Sequence, residues 1–150
     1  VTVFGTPQPG GSKKAFVNPR TKQANVVDAN PKAKPWQTII AQVVGEAMEV
    51  ATLALLPGPL AVEFDFYRAR PAGHFGTGRN AGQLKGSAPP WPTTRPDVLK
   101  LARAVEDALT GVTWRDDAEI VVERLRKHYG EPERVEIRVW AGEAFEEYLA

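Results

Sequence analysis

Three carboxylates in the middle of the chain stand where they could do chemistry. Asp97 follows Arg95-Pro96 and opens a segment with helical spacing, and Asp116-Asp117 come soon after that segment ends. Taken singly they have ordinary explanations. An Asp at a helix start usually accepts hydrogen bonds from the free N–H groups there, and an Asp pair in a loop usually shapes a turn. Taken together they bracket one helix, and a long basic loop precedes it. Hydrolysis of a phosphodiester needs carboxylates that hold hard cations beside a surface for the nucleic acid backbone, and this arrangement offers both.

Composition narrows the chemistry. The chain has no Cys, and its two His, His74 and His128, are far apart. Disulfides and thiolate metal sites are excluded, and a histidine metal site is not expected. A bound metal would rest on oxygen, which favours magnesium, manganese or calcium. With 150 residues, 43% hydrophobic and 25% charged, the chain has the size and make-up of one globular domain with a real core. No apolar run nears the ~20 residues of a membrane span. Val1-Thr2-Val3-Phe4 reads as a strand and not as a secretory signal.

The net charge is +1 but unevenly spread. Residues 1–45 carry Lys13, Lys14, Arg20, Lys22, Lys32 and Lys34 against the single acid Asp28, and residues 66–96 carry Arg68, Arg70, Arg79, Lys85 and Arg95 with no acid. Basic segments rich in Gly, Ser, Asn and Thr suit a phosphate backbone. Lys13, Lys14, Arg79, Lys85 and Lys100 are the candidate phosphate contacts.

The elements that must position these groups can be read from periodicity. Val1–Phe4 is expected as a strand, and Ala15–Val17 with Ala24–Val27 as a hairpin about the Asn18-Pro19 turn. Trp36, Ile39, Ile40, Val43, Val44, Ala47 and Val50 recur at helical spacing, predicting a helix over 34–54. Leu60–Tyr67 reads as a strand. Residues 70–94, rich in Pro and Gly, form a long basic loop bearing His74, Phe75 and Trp91, a candidate substrate surface. Asp97–Leu109 is the clearest helix, with Val98, Leu101, Ala102, Val105 and Leu109 on one stripe. Glu119–Tyr129 fits a helix or a strand, Val135–Trp140 a strand, and Ala144–Ala150 a short helix.

The block from Arg95-Pro96-Asp97-Val98-Leu99-Lys100 through Asp107-Ala108-Leu109-Thr110-Gly111, followed by Trp114-Arg115-Asp116-Asp117-Ala118-Glu119, resembles the signature of RusA-type Holliday junction resolvases. Their pattern is Pro-Asp-x-Asp at a helix start, a Lys or Arg on the helix, Asp-Ala-Leu-x-Gly, and Asp-Asp-x-Gln before a strand. Gly5–Lys14 and His74–Asn80 resemble phage and prophage members. The resemblance covers nearly the whole chain and is specific over 95–121. It implies a single α/β (α+β) domain over 1–150, with a small mixed sheet packed by helices, working as a homodimer on four-way DNA junctions in recombination and repair. It further implies Mg2+ or Mn2+ as cofactor and a bacterial or phage-encoded protein of the cytoplasm. Asp97 and Asp117 take the places of metal ligands, Asp116 stands beside them, and Arg103 takes the place of a cation that stabilises charge on phosphate. Glu119–Tyr129 is then a strand.

Two departures from the pattern matter. The second Asp of Pro-Asp-x-Asp is Leu99, which cannot bind a metal, and the Gln after the Asp pair is Glu119. Leu99 lies off the apolar stripe, on the face of Arg103, Glu106 and Asp107. Glu106 shares that face, but seven residues of helix rise about 10 Å and a Glu spans about half of that, so it is not expected to replace the lost carboxylate. Asp107 and Arg103 are expected to pair at i,i+4. Two readings follow: an active metal-dependent endonuclease, or a junction-binding protein whose cleavage is impaired by Leu99.

Overall fold

In the computed structural model, which describes residues 1–150, the chain is built on the strand Leu60–Arg68. We number it β4, after β1 (Thr2–Phe4), β2 (Lys13–Val17), β3 (Ala24–Asp28) and the helix α1 (Ala33–Val50). The helix α2 (Val98–Leu109), strands β5 (Ile120–Tyr129) and β6 (Arg134–Trp140) and the helix α3 (Glu143–Leu149) follow. Four strands form one mixed sheet in the order β1-β6-β4-β5, and β2 and β3 form a separate hairpin. The β4–β5 pair is parallel, and the β4–β6 and β1–β6 pairs are antiparallel. The expected α+β domain with a small mixed sheet is what the chain forms.

The alternation of side chains along a strand divides β4 cleanly. Leu60, Val62, Phe64 and Phe66 are fully buried and join the core under α1 and α2, while Glu63 and Asp65 are buried on the opposite face. Trp36, Ile40, Val44 and Met48, each four residues from the last, are the buried stripe of α1. On α2 the buried residues are Leu101, Ala102, Ala104, Val105, Ala108 and Leu109, with Val98 partly buried. Burying each large aliphatic or aromatic side chain stabilises by about 1.5–3 kcal/mol. Where β1 leaves the sheet, Gly5 has φ +137 and a Cβ there would stand 2.7 Å from the Trp36 ring. That approach requires glycine.

Several boundaries differ from the periodicity. The first helix ends at Val50 rather than near 54. Thr52 takes φ 56, and Thr52 and Leu53 donate to the carbonyls of Glu49 and Met48, a Schellman closure that turns the remaining leucines out of the helix. The 70–94 segment is organised around 3-10 turns at Ala72–His74 and Gly78–Asn80. It is pinned by the Arg70 guanidinium, which donates to the Pro89 carbonyl at 2.8 Å and lies over the Tyr129 ring. The segment that fitted a helix or a strand is the ten-residue strand β5.

Candidate active site

The exposed side of α2 forms the floor of a groove. At its first end a cavity of about 470 Å³ is lined by Asp97, Arg68, Arg95 and Lys100 together with the root of the β2–β3 hairpin. Farther along, a cavity of about 310 Å³ is lined by Leu99, Arg103, Glu106 and Glu123. Gly10, Gly11 and Lys100 line both. The connecting wall is tight: the Gly10 N–H donates to the Lys100 carbonyl at 2.8 Å, and a Cβ on Gly11 would stand 2.9 Å from Arg103 Cγ.

Asp97 is the N-terminal flanking residue of α2, in extended backbone conformation, but its carboxylate accepts no capping hydrogen bond. Its backbone does the structural work, accepting from the N–H groups of Lys100 and Leu101, and its side chain is left for the cavity. The approach to it is held by Lys127 on β5, whose ammonium donates to the carbonyls of Thr94 and Pro96 at 2.9 and 3.0 Å.

Asp117 is differently committed. Its Oδ1 accepts from the Thr110 hydroxyl at 2.6 Å and from Trp114 Nε1 at 2.8 Å, and its Oδ2 lies 3.9 Å from Arg103. Thr110 is about 19 Å along the helix axis from Asp97, so Asp117 is anchored toward the far end of α2 while its Oδ2 reaches back to Arg103. No group of three or more His, Cys, Asp and Glu converges as a metal cage. Asp116 caps the short 3-10 turn Asp117–Glu119, accepting from the Ala118 N–H at 2.9 Å, the turn role its position suggested.

Arg103 pairs with Glu106 at 3.6 Å and with Asp117, and not with Asp107, whose carboxylate instead meets Gln37. Glu106 stands among acids. Burial, followed by a hydrogen bond with Glu123 and that group's charge, pushes its carboxyl up to about 7; Asp117 adds to the rise and Arg103 opposes it. Glu106 and Leu99 line the same cavity, although helix rise alone keeps them apart. The link is β5, which brings Glu123 in from the side.

Of the other residues selected from sequence, Lys100 lies in the groove, and Lys13 is ion-paired to Asp28 at the hairpin root. Lys14 lies on the exposed hairpin. Lys85 donates to the Gly73 carbonyl inside its own loop, and Arg79 lies on the exposed turn of that loop. Sequence reading counts Arg68 and Arg95 only among the basic residues of 66–96, and it passes over Glu123 and Lys127. Once β5 is a strand, Glu123 and Lys127 share a face with half-buried Leu125, and charge at such positions is the signal that was available.

A second set of carboxylates occupies the outer face of the sheet. Asp65 accepts from Arg126 at 2.6 and 2.8 Å, from Arg138 at 2.8 Å, and lies 2.7 Å from His128 Nε2. Glu63 accepts from Arg124, Arg126 and the Tyr148 hydroxyl. Burial alone would raise the Asp65 carboxyl, but the hydrogen bonds from Arg126, His128 and Arg138 outweigh it and hold the group well below the usual carboxylate range. Sequence reading missed this lattice too.

Two comparisons bear on these features. The family described as endodeoxyribonuclease RusA matches residues 7–140. The chain is also similar to the uncharacterized protein YqaN of Bacillus subtilis (strain 168), 28% identical over 141 residues that span 92% of each chain.

Proposed function

The chain belongs to the RusA endodeoxyribonuclease family, and on that premise we propose that it is a structure-selective endonuclease that cuts four-way DNA junctions at the groove along α2. The observation that carries this reading is Asp97, a carboxylate freed from helix capping in a cavity whose cations are Arg68, Arg95 and Lys100. Those three groups suit the phosphates of one strand. Two copies about a twofold axis would present two grooves to one junction, and paired nicks follow from that symmetry. The outward side of α1, where Ile39 is 44% exposed, is our candidate for part of the dimer contact.

The donors along the groove fit a hard divalent cation. All are oxygen, and Mg2+ characteristically takes one or two carboxylates and completes its shell with water and substrate phosphate. Asp97 in the first cavity and, separately, the Glu106–Glu123 pair in the second, about 13 Å farther along the helix, are the groups that would hold Mg2+ or Mn2+. A bound cation there would polarise the phosphodiester and the attacking water. The chain's own cations complete the chemistry. Lys100 orients the backbone, and Arg103 donates to the phosphate oxygens as negative charge builds on them. Asp117 is a positioning residue, anchored by Thr110 and Trp114 and facing Arg103. Lys127 holds the segment that delivers Asp97.

A second reading, junction binding with impaired cleavage, is favoured by one observation: Leu99 stands 68% exposed where the family signature has its second Asp. A junction-nicking assay in Mg2+ and in Mn2+, run beside a binding assay on this chain and on Leu99→Asp, separates the two. Nicking by this chain supports the endonuclease. Binding without nicking, with nicking gained by Leu99→Asp, supports the second reading. A chain that binds no branched DNA contradicts both.

A further inference from the structure

The β2–β3 hairpin has no core of its own. Its strands are five residues each and pair only with one another. An isolated two-stranded hairpin is marginal in water unless something covers it. Here Phe16, Val17, Val26 and Val27 are 52%, 61%, 63% and 47% exposed. The register sorts the two faces: Phe16 lies with Lys14, Asn25 and Val27, and Val17 with Ala15, Ala24 and Val26.

The charge identifies what covers it. Lys13 is satisfied by Asp28 at the root, leaving Lys14, Arg20 and Lys22 without an acidic partner. Two such arms packed against each other would bring six unpaired cations together, so a second copy is a poor occupant and a polyanion a good one. The dimensions agree. Five residues of strand span about 17 Å, with strands about 5 Å apart, and the major groove of duplex DNA, about 12 Å wide, admits a two-stranded ribbon.

The position agrees as well. Ser12 and Asp28, at the two ends of the hairpin, line the cavity that holds Asp97. The root is fixed to α2 by the Gly10–Lys100 backbone bond and the close Gly11–Arg103 approach. We propose that the Lys13–Asp28 hairpin is a β-ribbon arm that enters a groove of the duplex flanking the branch point. Lys14, Arg20 and Lys22 lie on its backbones, and Phe16 and Val27 against sugars and base edges. The inference rests on the reading of the chain as a DNA junction enzyme and adds a grip on the duplex arm beside the cleavage groove.

The test is fluorescence anisotropy over a salt series with a four-way junction and with a linear duplex, without divalent metal. The proteins are the parent chain, Arg20→Glu/Lys22→Glu, and Phe16→Ser/Val27→Ser, each also examined by sedimentation. The charge variant is expected to lose about tenfold or more in affinity for both DNAs and to lower the log–log salt slope by about 2, near 0.9 per phosphate contact released. The apolar variant is expected to lose several-fold in affinity with an unchanged slope, and neither changes its sedimentation. Parent-like affinity and slope in the charge variant overturn the arm while leaving the junction enzyme intact. Loss of a dimer in the apolar variant overturns it in favour of a subunit contact. A parent chain that binds neither DNA overturns both the arm and the proposed function.

Discussion

On the outer face of the sheet, Asp65 is 3% exposed and is surrounded by Arg126, His128 and Arg138 at 2.6–2.8 Å. On the helix side, Glu106 meets another acid, Glu123, and has Arg103 only at 3.6 Å, while Asp97 has no capping partner at all. Both regions combine carboxylates with arginines. In the first, every carboxylate is saturated by fixed donors, so the group is committed to holding β4, β5 and β6 together. In the second, the carboxylates are short of donors and face a groove. Saturation marks structure, and its lack marks the place where a ligand has something left to satisfy.

The largest expected effect tests the saturated side. Asp65→Asn removes the charge that Arg126, Arg138 and His128 converge on, and because the arginines left behind are 39% and 45% exposed the loss is expected toward the low end of the range for breaking a buried ion pair, about 3 kcal/mol. Urea unfolding at pH 7 measures it, and a loss under about 1 kcal/mol would break the contrast between the faces. Because the Asp65 carboxyl is held below its usual range, its contribution is present above about pH 4 and disappears only as acid protonates the folded protein.

Next in size is Arg103→Ala. Loss of a cation that stabilises developing phosphate charge is expected to slow junction nicking about 100-fold, with stability little changed because this side chain is 54% exposed. A variant that nicks normally but unfolds easily would move Arg103 to the structural side of the comparison.

The third effect is smaller and has the opposite sign to that of Asp65. The Glu106 carboxyl is raised from 4.5 to about 7, so the folded chain keeps a proton that the unfolded chain releases. Stability is full below about pH 4.5, falls as pH rises towards 7 and then levels off. In chelator, Glu106→Gln is expected to abolish that decline and to be more stable than the parent at pH 8. Denaturant titrations at pH 4.5, 6 and 8 check it, and parallel pH profiles for parent and variant would remove the Glu106–Glu123 pair from the account.

Much of this was legible in the residue order. The stripe on α2, the alternation of β6, the hairpin about Asn18-Pro19 and the carboxylates flanking one helix follow from local periodicity and turn chemistry. What escaped is non-local. Glu63 and Asp65 look misplaced in an apolar strand until the parallel register sets Arg124 and Arg126 beside them. The meeting of Glu106 with Glu123 depends on α2 crossing β5, which helix rise alone does not reveal. Arg68 and Arg95 stand at segment ends, where a one-residue change of boundary would turn a side chain away. The Arg103–Asp107 pairing expected from spacing lost to Glu106, one residue nearer on the same helix, and to Asp117 from beyond its end.

The measurement that tests the account most directly is the rate of four-way-junction nicking by Asp97→Asn beside the parent, in Mg2+ and in Mn2+, at DNA concentrations where both proteins are fully bound. The account predicts a variant that folds and binds as the parent does and nicks at least about 100-fold more slowly, with chelation stopping the parent in the same way. A variant that nicks at the parental rate would contradict it, because the unsaturated carboxylate at the head of α2 would then be no part of the reaction.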